Sequence, residues 1–300
     1  MNYNYSVKNR VAIIGAGKVG TAVGYLLRSA GYEIIALADS SASSLENSLP
    51  YTGGRPYKNP SEAAKEANII LITTPDDEIS HVCTILSNEG AISQGKIVLH
   101  MSGAGGLDLL ESARREGASV ACIHPIQSFS DINGAIENLP CSTFGITAKH
   151  EMIEWAENFV KDLGGYPFLV SEQDKPLYHA AACMASNYLT TLIHIVENIY
   201  TSFGLKSEEA IRAFWPLVRG TLKNIERSGT VQALTGPIAR GDIGTVKKHL
   251  SAFNSNLPEL LRVYKELGIL TIDLAVKKGT LSAERAEAIK RLLEGGSDHE

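Results

Sequence analysis

The stretch Val11-Ala-Ile-Ile-Gly15-Ala-Gly17-Lys-Val-Gly20-Thr-Ala-Val23 decides how the rest of the chain is read. Val11 to Ile14 is a short apolar run, as expected of a buried strand. It ends in three glycines spaced G-x-G-x-x-G. Behind them Val19, Ala22, Val23, Leu26, Leu27 and Ala30 recur at helical spacing, one buried face of a helix. A strand, a glycine turn and a helix in this order form the phosphate-binding unit of a dinucleotide fold. Gly15 permits the tight turn, Gly17 the close approach of a pyrophosphate, and Gly20 the packing of helix on strand. The helix start, at Lys18 and Val19, offers backbone N–H groups to the phosphates.

Outward from this unit, Glu33 to Ala38 reads as a second strand that ends in Asp39. Asp39 stands about where such folds place the carboxylate for a ribose 2′-OH, roughly 20 residues on. It favours NAD, because a carboxylate repels a 2′-phosphate. Ser40, Ser41 and Ser43 offer hydroxyls to a phosphate, so NADP stays open.

Beyond a polar connection through Pro50, Gly53, Gly54 and Pro56, strands and helices alternate. Ile69–Thr74, Lys96–Met101, Ser119–Ile123, Cys141–Ile146 and Tyr166–Val170 read as strands. The run Ile69–Thr74 is apolar without alternation, as in a parallel strand buried on both faces. From Asp174 onward only helices are expected, over Asp174–Phe203, Ser207–Ser228, Asp242–Ser255, Leu257–Lys277 and Ala283–Leu293. The expected architecture is an α/β domain with a doubly wound, mainly parallel sheet over 1–171, then an all-α domain over 172–300 for substrate binding and dimerisation.

Bulk properties narrow the class. The 300 residues carry a net charge of −5 and 44% hydrophobic residues, which suits a globular chain of two domains. No basic patch speaks for nucleic acid, and no apolar run speaks for a membrane span or leader. Cys83, Cys122, Cys141 and Cys183 form no C-x-x-C pair, and Cys122 and Cys183 lie in apolar runs, as reduced buried thiols do. The expected compartment is the cytoplasm. The tail from Gly295 is expected to fray.

In open parallel sheets ligands bind beyond the carboxyl ends of the strands. Here those ends carry Thr74-Pro75-Asp-Asp, Ser102-Gly and His124-Pro. Thr74 and Pro75 join the cofactor-binding set. His124 is the candidate acid or base, since imidazole exchanges protons near neutral pH. Ser102 is a candidate to hold the same substrate oxygen or to orient the imidazole. In the first helix after the sheet, Leu177, Met184, Tyr188 and Leu192 fall on an expected core face. His179, Cys183, Asn187, Thr190 and His194 form a second line. From it His179 and Asn187 are site candidates, and His194 is expected to be a buried, backbone-satisfied histidine. His179 and His194 are too far apart to share an ion, so no metal is expected. Arg240, in Thr235-Gly-Pro-Ile-Ala-Arg-Gly-Asp242, is a candidate clamp for a substrate carboxylate, and Asp242 a helix cap.

Together with these segments, His100-Met-Ser-Gly-Ala, His124-Pro-Ile-Gln-Ser-Phe, Tyr178-His-Ala-Ala-Ala, Ser186-Asn-Tyr-Leu and Leu234-Thr-Gly-Pro-Ile-Ala-Arg-Gly-Asp resemble the bacterial Rossmann-like proteins with a DUF2520 domain. These are often labelled coenzyme F420-dependent NADP oxidoreductase-like. The resemblance spans nearly the whole chain. It implies a Rossmann domain, a helical domain of the 6-phosphogluconate dehydrogenase C-terminal type, and homodimers through the helices. Prephenate dehydrogenases are similar in a serine after one strand and a His-Pro after the next, where the histidine assists removal of the hydroxyl proton. That implies the same for Ser102 and His124. The β-hydroxyacid dehydrogenases and ketopantoate reductases place a lysine and, four residues on, an asparagine in the corresponding helix. Asn187 matches the asparagine, while Cys183 stands where the lysine would be. The expected function is an NAD(P)-dependent oxidoreductase for a small carboxylated oxo or hydroxy compound, with ketopantoate reduction one assignment. The alternative is a non-catalytic NAD(P)-binding sensor or interaction protein.

Overall fold

In the strand Arg10–Ile14 (β1), alternate side chains enter different cores. Val11 and Ile13 pack with Val23 and Leu27 of the helix Lys18–Ser29 (α1). Ala12 and Ile14 pack on the other face, with Ala63 and Ile79. This period-2 division, with both faces apolar, is what a strand covered by helices on both sides requires. The computed structural model describes residues 9–295. The amino-terminal residues before Asn9 and the tail beyond Gly295, which was expected to fray, lie outside them.

The remaining strands are Glu33–Ala38 (β2), Arg55–Tyr57 (β3), Ile69–Ile72 (β4), Ile97–His100 (β5), Ser119–Pro125 (β6), Thr143–Ala148 (β7) and Tyr166–Leu169 (β8). They form one sheet in the order β3-β2-β1-β4-β5-β6-β7-β8. All neighbours pair in parallel except β6 and β7, where His124 faces Gly145 in antiparallel register. The order steps outward in both directions from β1 and β4, so the carboxyl ends of β1 and β4 flank a switch point. The expected mainly parallel, doubly wound sheet is what the structure shows.

The helices Ala42–Thr52 (α2), Pro60–Ala64 (α3), Asp76–Asn88 (α4), Glu111–Arg115 (α5), Ile132–Asn138 (α6) and His150–Asp162 (α7) complete the sheet unit. The connection expected after Asp39 is therefore a helix and a short strand. Ser41 caps α2 by accepting from Ser44 N–H, and Pro50 is absorbed in its last turn.

After β8 follow Lys175–Cys183 (α8), a π-helical turn over Met184–Tyr188, and Leu189–Thr201 (α9). Then come Ser207–Ala233 (α10), Ile243–Asn256 (α11), Leu261–Lys278 (α12) and Ala283–Glu294 (α13). No strand follows β8 among the described residues. The helix expected to stop at Ser228 does leave helical geometry at Gly229, where φ is 74°, before resuming its last turn. The chain separates into compact units over Met1–Asn187 and Tyr188–Glu300. The first thus runs past Ser171 to take in α8, where Lys175 and Tyr178 bond to the sheet's rim and His179 packs against His124.

Two expectations for the helices are corrected. The line proposed as a core face is exposed at Leu177, Met184 and Tyr188. His194 is not buried but 65% exposed, beside Glu197 and Asn198. The π turn is the reason in part. It inserts a wider turn after Cys183, so residues beyond it leave the line through His179 and Cys183. In the second unit, Ile238, Val246, Ile272, Ala275, Ile289 and Leu293 make a core among α11, α12 and α13. Helix α10 adds only Ala210 and Phe214 to buried residues, and the apolar α9 adds none.

Candidate functional site

The first half of the site is the glycine turn. Gly15 has φ of 109°, a conformation that favours glycine, and a side chain there would collide with the Thr73–Thr74 backbone. A methyl group at Gly20 would run into the Gly15 carbonyl and the Thr73 hydroxyl, which donates to that carbonyl at 2.6 Å. Gly17 differs. Its backbone is extended, and a methyl group there would meet nothing within 4 Å. The fold requires glycine at 15 and 20 but not at 17, where the open space belongs to a cavity.

That cavity measures about 690 Å³ and is lined by Gly15, Gly17, Asp39, Ser40, Lys58, Thr74, Pro75 and neighbours. Gly17 is the N-cap of α1 and supplies no side-chain cap, so the first N–H groups of the helix are left for a ligand. Lys18 and Gly17 also border a second, smaller hollow, with Asn47 and Asp131. Val19 packs against the core as a partly buried residue. The Thr74 hydroxyl is buried in the cavity wall without a hydrogen-bond partner. Asp39 is engaged by backbone: its Oδ2 accepts from Ala16 N–H at 2.7 Å and its Oδ1 from Ser41 N–H at 2.8 Å. A dinucleotide fits this set of groups: free helix N–H donors, an orphaned hydroxyl, a glycine without steric need, and a carboxylate at the end of β2 with acceptor capacity to spare.

The second half lies past β5 and β6. His100 is fully buried; its Nδ1 accepts from Ser102 N–H at 3.1 Å, so Nε2 carries the proton and donates to the Gly106 carbonyl at 3.0 Å. Burial holds its pKa down at about 4, with Lys175 adding to the effect, and the Gly106 bond and Asp76 opposing it. This neutral imidazole shapes the loop that carries Ser102 and Gly103. The Ser102 hydroxyl donates to Asp76 Oδ2 at 2.7 Å and accepts from Gly105 N–H at 2.8 Å. It is therefore an anchor between α4 and the loop, bonded away from His124.

His124 sits at the end of β6 with Nδ1 2.8 Å from the Tyr178 hydroxyl. Its ring lies 5.9 Å from that of His179, edge to face. Gly103 makes room for both imidazoles, since a side chain there would strike His179 and His124. Likewise a side chain at Gly145 would strike the Tyr178 ring. Burial lowers the His124 pKa to about 4, helped by Lys175 and then His179, and opposed by Asp76. Burial pushes the Tyr178 phenol up to about 12, Cys122 adds to this, and the Gly145 backbone opposes it. At neutral pH the pair is an uncharged imidazole and an uncharged phenol.

Of the candidates read from sequence, Ser102, His124 and His179 come together in the first unit. Asn187 closes that unit as an exposed residue of the π turn, and Cys183 Sγ lies 3.9 Å from His179 Nε2. Arg240 belongs to the second unit, exposed in the turn before α11, whose N-cap is Asp242 as expected. Tyr178, Asp76 and Lys175 were missed. The signal for two of them was present: Lys175, Tyr178 and His179 fall at i, i+3 and i+4 on the first turns of one helix. Among the described residues no group of three or more His, Cys, Asp or Glu side chains is placed to hold a metal ion.

A glycine turn at the switch point of a parallel sheet, followed by helices, defines a Rossmann-type fold with a helical partner domain. Residues 5–125 match a Rossmann-like domain, and residues 142–271 match DUF2520, a domain of unknown function. The chain thus matches both of the domains that its motifs resemble, the Rossmann-like one and DUF2520. No curated protein matches it. Among solved structures, protein TM1727 from Thermotoga maritima is 23% identical with a TM-score of 0.71, over 89% of this chain and 99% of that one. The pyrroline carboxylate reductase of Plasmodium falciparum, solved with NADP bound, is 14% identical with a TM-score of 0.59, over 97% and 100%. An imine reductase from Myxococcus stipitatus, in complex with NADP+, is 16% identical with a TM-score of 0.56, over 95% and 93%. At these identities the likeness is one of fold.

Proposed function

We propose that this chain is an NAD(P)-dependent oxidoreductase acting on a small carboxylated oxo or hydroxy compound, with ketopantoate reduction one assignment. The observation that carries it is Gly17, a glycine the fold does not need, facing a cavity beside an uncapped helix start and the buried, unpartnered Thr74 hydroxyl. The reductases of similar fold, solved with NADP bound, support the same reading. A nicotinamide cofactor, when bound, supplies or accepts the hydride. Asp39 then takes the ribose hydroxyls, which favours NAD over NADP, with Ser40 beside it.

The chain's own part is the proton. In the direction of oxidation, neutral His124 accepts the substrate hydroxyl proton, and Tyr178 holds the ring in place. In the direction of reduction His124 must first be charged. A substrate carboxylate beside it favours that, because a nearby anion raises the pKa of a histidine. His179 borders the same imidazole and is the second group able to exchange a proton there. Arg240 and Asn187 are the proposed substrate-holding residues. The lysine of the β-hydroxyacid dehydrogenases has no counterpart at Cys183, so the mechanism proposed here rests on imidazole.

A homodimer through the helical domain belongs to the same proposal. Leu217, Leu270, Phe203 and Tyr188 are each more than 60% exposed, and α9 is apolar with no residue buried. An apolar helix left in water calls for a cover. No helix among the described residues is long and apolar enough to cross a membrane, and all four cysteines are free. Free thiols suit the cytoplasm, where we place the protein.

The test is fluorescence titration with NADH and NADPH, then a screen of 2-oxo and 2-hydroxy acids for cofactor turnover. Saturable binding with turnover of at least one acid is expected. Binding without turnover across the panel would support the sensor reading instead, and absence of binding would defeat both.

A further inference from the structure

Lys175 is 1% exposed. It opens α8, and its ammonium donates to Cys122 Sγ at 3.0 Å and to the Ser102 carbonyl at 3.3 Å. The Cys122 thiol itself donates to that carbonyl at 3.2 Å. The ammonium is thus buried against neutral acceptors from the middle of β6 and the loop after β5, and no ion pair holds it among the described residues. A charge so placed is poorly screened and acts on its neighbours. The nearest titratable neighbour along the strand is His124. Cys122 and His124 point to the same side of β6, roughly 7 Å apart along the strand.

We propose that Lys175 is a positioning residue for the reacting end of the site: it pins the first turn of α8 to β6 and to the loop after β5, presents Tyr178 and His179 to His124, and sets a buried positive charge on the same side of β6 as that imidazole. The spacing within α8 supports the first part. One turn beyond Lys175 come Tyr178, bonded to His124, and His179, packed edge-on against it. The charges around His124 support the second. Lys175 and His179 face it from α8, His100 from β5 and Asp76 from the start of α4, while the neutral Tyr178 and Cys122 complete the surroundings. Asp76 alone favours the charged ring, and Asp76 is bonded to Ser102.

The catalytic consequence rests on His124 handling the substrate proton, but its titration needs neither substrate nor cofactor. The ring nitrogens of the full-length protein would be followed by NMR against pH, with His124 identified by the signal lost in His124→Gln. In the parent the ring is expected to stay neutral down to pH 5.5. Lys175→Met should raise the midpoint by about one pH unit, short of the ordinary value because burial persists. Lys175→Arg should leave it low. If Lys175→Met does not fold, Lys175→Gln removes the charge but keeps a donor and carries the same expectation. An unchanged midpoint in the charge-free variant, or a parent midpoint near 6.5, overturns the proposal. Failure of the parent to bind NADH or NADPH would instead sink the oxidoreductase reading and leave the titration result standing.

Discussion

The Tyr178 hydroxyl and His124 Nδ1 lie 2.8 Å apart, joining the first turns of α8 to the end of β6. Two glycines make this possible. Gly145, on the reversed strand β7, admits the phenol, and Gly103 admits the imidazole. Both polar side chains are mostly out of water, so each depends on the other for a partner.

Replacing His124 by Ala should therefore lower kcat by about 10²–10⁴-fold on whichever acid the screen identifies. The dissociation constant for NADH should stay within twofold. Tyr178→Phe should cost less and shift the acidic limb of the pH–rate profile, because the ring loses its partner but keeps its proton-accepting nitrogens. Steady-state kinetics and fluorescence titration decide it. Turnover by His124→Ala within a fewfold of the parent would pass the role to His179.

The three glycines of the turn should separate under substitution. Gly17→Ala should leave the melting temperature unchanged while weakening NADH binding at least tenfold. Gly20→Ala should destabilise the protein by about 1–3 kcal/mol, as overpacking does. Differential scanning fluorimetry with and without cofactor distinguishes the two. A Gly17→Ala protein that binds as tightly as the parent would remove the main support for a pyrophosphate at this turn.

Asp39 carries two duties, since it holds Ala16 N–H and faces the cavity. The parent should bind NADH more tightly than NADPH. Asp39→Asn keeps a carbonyl oxygen for Ala16 but removes the charge, so it should narrow the difference. Asp39→Ser with Ser40→Arg should reverse it. Equal or tighter NADPH binding by the parent contradicts the expectation.

His100 links stability to pH. Its folded pKa of about 4 lies below the ordinary 6.5, so an unfolded chain binds a proton that the native core refuses. The resulting stabilisation is full above pH 6.5 and is lost as pH falls toward 4. It amounts to roughly 3 kcal/mol over that interval for this one buried ring. Urea unfolding of the parent should show a midpoint that falls between pH 7 and 4.5. His100→Gln should be less stable at pH 7 but lose less on acidification. Parallel curves for the two proteins would remove His100 from the account.

The exposed apolar residues of the second unit predict the oligomeric state. The parent should elute as a dimer in size-exclusion chromatography with light scattering. Leu217→Glu combined with Leu270→Glu should yield monomers. A monomeric parent would refute the assignment.

The glycine turn, Asp39 and the strand ends at Ser102 and His124 were legible in the sequence because each is a local pattern. Helix α2 and strand β3 were not, because Pro50 and Pro56 read as punctuation while neighbouring contacts decided otherwise. The role of Ser102 could not be read, since its partner Asp76 is distant in the chain and only the sheet brings them together. Lys175 escaped for a related reason. A lysine at a helix start reads as solvated, and although it falls in line with Tyr178 and His179, only the fold shows that Cys122 and Ser102 close over it.

The antiparallel step from β6 to β7 joins two separately matched segments into one sheet. The Rossmann-like match stops at residue 125 and the DUF2520 match begins at 142, yet the sheet runs unbroken across the gap through the pairing of β6 with β7. The matched segments and the folding unit therefore do not share a boundary. His124 lies in one segment, while Tyr178, His179 and Lys175 lie in the other. Neither segment alone holds both partners of the His124–Tyr178 bond, so the site exists only where the two are joined in one sheet unit.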